Sequence, residues 1–189
     1  MDQYLHVRVL LSIILGFGLA QLLSGVASLA ESPKQSRPYW VHLVWTLFLF
    51  LYLIHFWWWE FRLRQITEWT FPLYFFIVLY VVLQYLLCTL LFPRQMTEFQ
   101  GFADYFYSRK TWIFSLMALL FVADVQDTVL KGLPYLRTLG PIYYARTISY
   151  LGLSLAAIKI SDRRFHAGFA VFATLSEIAF IVAFYFKIP

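Results

Sequence analysis

Long apolar runs, broken by short polar stretches rich in proline and glycine, follow one another along the whole chain. A helix needs about 20 mostly apolar residues to cross the hydrocarbon core of a bilayer. By that measure the pattern predicts spans at roughly 5–30, 39–60, 70–92, 111–131, 141–160 and 165–186. The breaks are residues that end helices: Glu31 to Pro38, Phe61 to Gln65, Pro93-Arg94, Gly132-Leu133-Pro134, Gly140-Pro141 and Ser161 to Arg164. Arg146 interrupts the fifth run, and without that run the chain has five spans. Residues 94–110 form the one long connection, with Phe99, Phe102, Tyr105 and Phe106 set among polar residues. That stretch is expected to lie along the interface as a short amphipathic helix. No internal repeat is visible, so an inverted-repeat transporter architecture has no support.

Composition agrees with this reading. Of 189 residues, 61% are hydrophobic, 21% aromatic and 13% charged, with a mean hydropathy of +0.69. Soluble domains carry about 25% charged residues. The expected fold is therefore an all-α polytopic bundle, a single integral membrane domain over residues 1–189 with the lipid bilayer as its solvent and no soluble domain. Six spans use about 120 positions, which leaves only short loops. The net charge of +5 does not imply a nucleic-acid partner, because its bases are scattered among the loops. Cys88 is the only cysteine and lies in an apolar run, so it reads as a packing residue. The first run is too long for a signal-peptide core and lacks a basic leader, so it is expected to be retained. No GxSxG, HExxH or P-loop motif is present, and the chain is not expected to be an enzyme.

Tryptophans mark the predicted boundaries. Trp40 opens the second span, Trp57, Trp58 and Trp59 close it, and Trp69 and Trp112 flank the third and fourth. Such residues anchor helices at headgroup level. We call the face bearing the N-terminus A and the opposite face B. With six spans, face A carries Arg8, Arg62, Arg64, Lys131, Arg137 and Lys187. Face B carries Lys34, Arg37, Arg94, Arg109, Lys110, Lys159, Arg163 and Arg164. The positive-inside rule then makes B cytoplasmic and puts both termini outside. Small residues form stripes at Ser12, Gly16 and Ala20, with Gly18 and Gly25 nearby, and at Gly152 and Ala156. Close packing inside one bundle is their expected use, ahead of a subunit contact. A 22.4 kDa bundle has little room for a pore and its walls, so a homo-oligomer is expected.

Ionisable residues fall where hydrocarbon should be. Asp124 and Asp127 share the fourth run, about 60° apart on one side of a helix. Arg146 lies in the fifth run and Glu177 in the sixth, while His55 and Glu60 lie in the A half of the second and Arg8 opens the first. All of these can share one layer toward face A, with Gln21 and Gln84 nearer mid-depth. Buried charges persist because they pair or line a wet pathway. Three readings compete. In the first the layer is a lock, with Arg146 paired to Asp124 or Asp127 and Glu177 to Arg8 or a hydroxyl. In the second Asp124, Asp127, Glu177 and Glu60 bind protons or a small monovalent cation, Arg146 is the counter-charge and His55 a proton acceptor. The third is a haem or quinone site, with His6 and His55 toward A and His42 and His166 toward B. Angular placement counts against haem, since His42 and His55 are thirteen residues apart and so about 220° apart on a straight helix. No cofactor and no metal site is expected. The leading expectation is a channel or carrier for protons or a small monovalent cation, with a non-catalytic accessory subunit as the rival.

Overall fold

The computed structural model describes residues 3–31, 37–66, 68–93 and 96–185. Among the described residues every regular element is helical: α1 (Gln3–Glu31), α2 (Trp40–Trp59), α3 (Phe71–Leu91), α4 (Phe102–Leu130), α5 (Leu133–Thr138), α6 (Gly140–Lys159) and α7 (Arg163–Tyr185). A 3₁₀ segment, Glu60–Gln65, continues α2. The described residues thus form an all-helical fold, and α1, α2 with its 3₁₀ extension, α3, α4 and α7 are long and apolar enough to cross a membrane.

Proline and glycine set the boundaries, as the sequence implies. Pro72, Pro134 and Pro141 stand in the first turns of α3, α5 and α6, where the missing amide proton is not needed. Gly140 adopts φ 63°, a left-handed conformation that only glycine takes without strain, and so lets α6 follow α5 directly. Asp162 accepts a 2.8 Å hydrogen bond from the Phe165 amide, which caps the start of α7.

Two expectations are corrected here. Residues 102–110 do not form a separate interfacial helix, because α4 runs unbroken from Phe102 to Leu130. No proline or glycine interrupts that stretch, and Phe102, Tyr105 and Phe106 are buried against the core as the helix's first turns. The small-residue stripe of α1 also faces the other way. Gly16 and Ala20 are exposed, and a side chain at Gly16 or Gly152 would meet nothing within 4 Å. Close approach occurs instead at Gly18 and Gly25, seven residues apart. A Cβ at Gly18 would lie 3.1 Å from Leu53, and one at Gly25 would enter the Phe92 ring. Gly25→Ala is therefore expected to cost about 1–3 kcal/mol through overpacking, while Gly16→Ala meets no neighbour and is expected to gain about 0.5–1 kcal/mol from helix propensity. Thermal unfolding of the two variants in one detergent checks the contrast.

Helix α2 lies at the centre, touching α1, α3, α4 and α7, while α4 packs along α6. Helix α6 runs antiparallel to α4: Lys110 Nζ donates to the Ile158 and Ile160 carbonyls at one end, and Tyr143 Oη meets Asp124 at the other. Large apolar side chains such as Phe17, Phe71, Ile148 and Leu175 point outward, as a lipid-facing girdle requires. Toward face B the interior is an aromatic plug. Trp45 packs on Phe114 and Phe169 with centroids at 5.5 and 4.9 Å, and Phe121 packs on Tyr150 at 4.8 Å. All five of these side chains are buried.

A buried charged layer as the candidate functional site

The layer toward face A has two ionic groups with a tyrosine-bound carboxylate between them. In the first group Arg146, on α6, donates from Nη1 to Glu177 Oε2 of α7 at 2.6 Å. His55 Nδ1, on α2, meets the other oxygen of Glu177 at 2.5 Å. An ionised carboxylate only accepts, so the proton of that bond sits on Nδ1. The Arg146 guanidinium also covers the Phe180 ring at 4.3 Å. Glu177 is completely buried.

Lys131, at the end of α4, forms the second group. Its Nζ lies 2.6 Å from Glu60 Oε1 and 2.6 Å from Asp127 Oδ2, with no side-chain exposure. The ammonium is thus held between two carboxylates and is the one cation of this group. Trp59 covers Lys131 at 5.6 Å and stacks on Tyr143.

Asp124 stands between the groups. Its Oδ2 accepts from Tyr143 Oη at 3.0 Å and lies 3.8 Å from Arg146 Nη2. Its Oδ1 faces Tyr80 Oη at 3.2 Å and Tyr52 Oη at 3.5 Å, and those two hydroxyls are 2.9 Å apart. Hydroxyl donors from α2, α3 and α6 thus converge on one carboxylate of α4. Beside it, Tyr52, His55, Phe56, Trp59, Asp124 and Arg146 enclose a cavity of about 10 Å³. That is room for one water molecule. Three of the lining residues have buried atoms without a protein partner, His55 Nε2, Trp59 Nε1 and Arg146 Nε.

The six expected site residues, Asp124, Asp127, Glu177, Arg146, His55 and Glu60, therefore come together. Arg146 reaches Asp124 as foreseen, at ion-pair distance only, and Asp127 is held by Lys131 instead. The pairing of Glu177 with Arg8 does not form. Arg8 stacks on the Trp57 and Phe61 rings at 5.3 and 4.7 Å, because α1 packs on α3 and α2. Lys131, Tyr52, Tyr80 and Tyr143 escaped the sequence reading. Lys131 carries one signal, its i, i+4 spacing from Asp127, but its place after the fourth apolar run equally fits a loop base. The tyrosines had none, being three among 13. The Trp57–Trp59 triplet also divides its work: Trp58 is exposed like an anchor, whereas Trp59 is buried over the charged layer.

Two of the four histidines weighed for haem hydrogen-bond backbone carbonyls, and His55 belongs to the charged layer. His42 Nε2 meets the Leu91 carbonyl at 2.8 Å and His166 Nε2 the Ile160 carbonyl at 2.9 Å, while His6 is exposed. Gln84 is buried, and neither of its amide atoms has a protein partner. Among the described residues no three His, Cys, Asp or Glu side chains gather as a metal site. No family model, curated protein or solved structure matches the chain.

Proposed function

We propose that the chain is a six-span membrane protein whose buried layer binds and releases protons, and that it serves as a small proton carrier or gated proton conduit. What supports the reading is the charge balance. Four carboxylates (Glu60, Asp124, Asp127 and Glu177) surround two fixed cations, Lys131 and Arg146, all of them buried. Even with His55 charged, one negative charge is left over. An uncompensated charge at low dielectric is neutralised by taking up a proton or a counter-ion. The adjoining cavity admits one water and no hydrated cation, which favours a proton. The excess falls on the Glu60–Asp127 pair, two carboxylates around one ammonium, and on Asp124, where the tyrosine hydroxyls and Thr128 Oγ1 continue the hydrogen-bond chain. The aromatic plug separates this layer from face B, so exchange through face A, followed by a conformational step, suits the geometry better than an open pore.

The sixth crossing rests on α6. Its 20 residues run antiparallel to α4. Its outward face, Ile142, Ile148 and Leu155, is apolar, and the Arg146 that lowers its hydropathy is turned inward onto Glu177. Tyr185 packs on Trp58 and Trp59, and Gln3 and His6 lie beside Trp69 and Phe71. These contacts put both ends of the described chain on one side of the bundle, which supports an even number of crossings. Lys131 is spent inside the layer, which strengthens the basic excess of face B and its assignment to the cytoplasm.

The paired variants Asp124→Asn and Glu177→Gln test the reading, assayed for proton flux in liposomes and for thermal stability. Asp124→Asn is expected to cut flux about a hundredfold while keeping most of the melting temperature, because the asparagine carbonyl still accepts on one side and its amide group donates to a tyrosine oxygen on the other. Glu177→Gln strands Arg146 and is expected to lose stability. If the unmutated protein passes no protons under a pH gradient, the transport reading is overturned. An accessory subunit is then the better account, with the two ionic groups as locks joining α2, α4, α6 and α7.

A further inference from the structure

Face B carries a second polar feature, unconnected with the charged layer. An open cavity of about 560 Å³ lies between the starts of α4 and α7, and Arg37, Lys110, Arg163, Asp104, Tyr107 and Ser161 line it. Three bases face one acid. Asp104 is engaged through Oδ2, which accepts the Gln100 amide at 3.1 Å. Lys110 spends two donors on the Ile158 and Ile160 carbonyls and keeps a third. The guanidinium of Arg37 has one long contact, 3.5 Å to the Gln100 carbonyl.

The backbone that presents Arg37 is strained and tightly held. Arg37 has φ 44°, the one positive φ among described non-glycine residues. Its carbonyl accepts from the Phe102 amide at 3.3 Å. Gly101 stands against it at φ 152°, where a Cβ would come within 2.8 Å of the Arg37 Cβ. A residue kept in a sparsely populated conformation by its surroundings is a recurrent feature of ligand clamps. Depth supplies the second argument. Trp40 and Trp112, three and two residues beyond Arg37 and Lys110 in sequence, are both exposed. Exposed tryptophans mark the headgroup level, and basic pockets between helices there recognise lipid phosphate.

We propose that this cavity binds a phosphate monoester dianion presented by an anionic lipid headgroup. Its lining carries two positive charges in excess, which matches the charge of about −1.5 to −2 on a phosphomonoester near neutral pH. A zwitterionic choline headgroup has no such match.

The test uses the full chain in detergent with phosphatidic acid, phosphatidylglycerol or phosphatidylcholine added at equal concentration, and bound lipid counted by native mass spectrometry. The unmutated protein is expected to retain phosphatidic acid most and phosphatidylcholine least. The double variant Arg37→Gln, Arg163→Gln is expected to lose about tenfold in phosphatidic acid retention, removing two phosphate contacts. Asp104→Asn keeps the acceptor for Gln100 but removes the acid, so it is expected to bind phosphatidic acid more tightly, a gain that misfolding does not produce. Inorganic phosphate is the competing arm. Displacement of the lipid by phosphate at equal concentration assigns the same site to a free anion, whereas resistance assigns it to the lipid. Equal retention of phosphatidic acid and phosphatidylcholine, or no response to either variant, overturns the proposal.

Discussion

Arg146→Met is expected to destabilise the protein by about 3–5 kcal/mol, the usual consequence of removing one partner of a buried ion pair. Its Nη1 holds Glu177 Oε2 at 2.6 Å and its Nη2 is the cation nearest Asp124, at 3.8 Å. Methionine fills the space along Phe180 and Tyr150, so the loss reports charge more than volume. Glu177 is then left with His55 alone. Adding Glu177→Gln to Arg146→Met removes the stranded carboxylate, and the double variant is expected to be more stable than the sum of the single losses implies. A double-mutant cycle on thermal or denaturant unfolding measures that coupling. A single loss below about 1 kcal/mol would place the pair among exposed, screened bridges and contradict the geometry.

Lys131→Met is expected to be as damaging, for a related reason. One ammonium separates Glu60 from Asp127, both buried, at 2.6 Å from each. Without it the pair keeps a negative charge at low dielectric with no cation beside it, even when it holds one proton. Neutralising both partners, as in Lys131→Met with Glu60→Gln and Asp127→Asn, is expected to recover most of the loss. Because the lysine terminates α4 while Glu60 begins the 3₁₀ segment after α2, the single variant should also loosen the face A ends of those helices. Hydrogen exchange of the amides around Phe61–Gln65 and Val125–Leu130 reads that loosening. Unchanged exchange together with an unchanged melting temperature would remove Lys131 from the layer.

The helices were legible in the sequence because bilayer-length apolar runs and proline–glycine breaks act locally, and each predicted span begins and ends near its helix. The exception, residues 94–110, shows the limit. Phe102, Tyr105 and Phe106 alternate with polar residues just as an interfacial helix would, and only packing against α2, α3 and α7 shows them to be buried first turns of α4. Depth along each helix was enough to gather Glu60, His55, Asp124, Asp127, Arg146 and Glu177 into one layer. Which of them touch was not, because pairing depends on which helices are neighbours. Arg8 lies at the right depth and on the wrong helix. Tyr52, Tyr80 and Tyr143 converge on Asp124 from three helices, and no spacing along the chain announces such a cage.

A layer with more buried carboxylates than cations is expected to hold an exchangeable proton at neutral pH. Infrared spectroscopy of the protein in lipid, in water and then in deuterium oxide, measures this directly. The expected spectrum shows the carbonyl stretch of a protonated carboxylic acid near neutral pH, shifted by deuterium exchange and diminished in Glu60→Gln or Asp127→Asn. A spectrum with no protonated carboxylic acid at neutral pH, unchanged by either substitution, would contradict it.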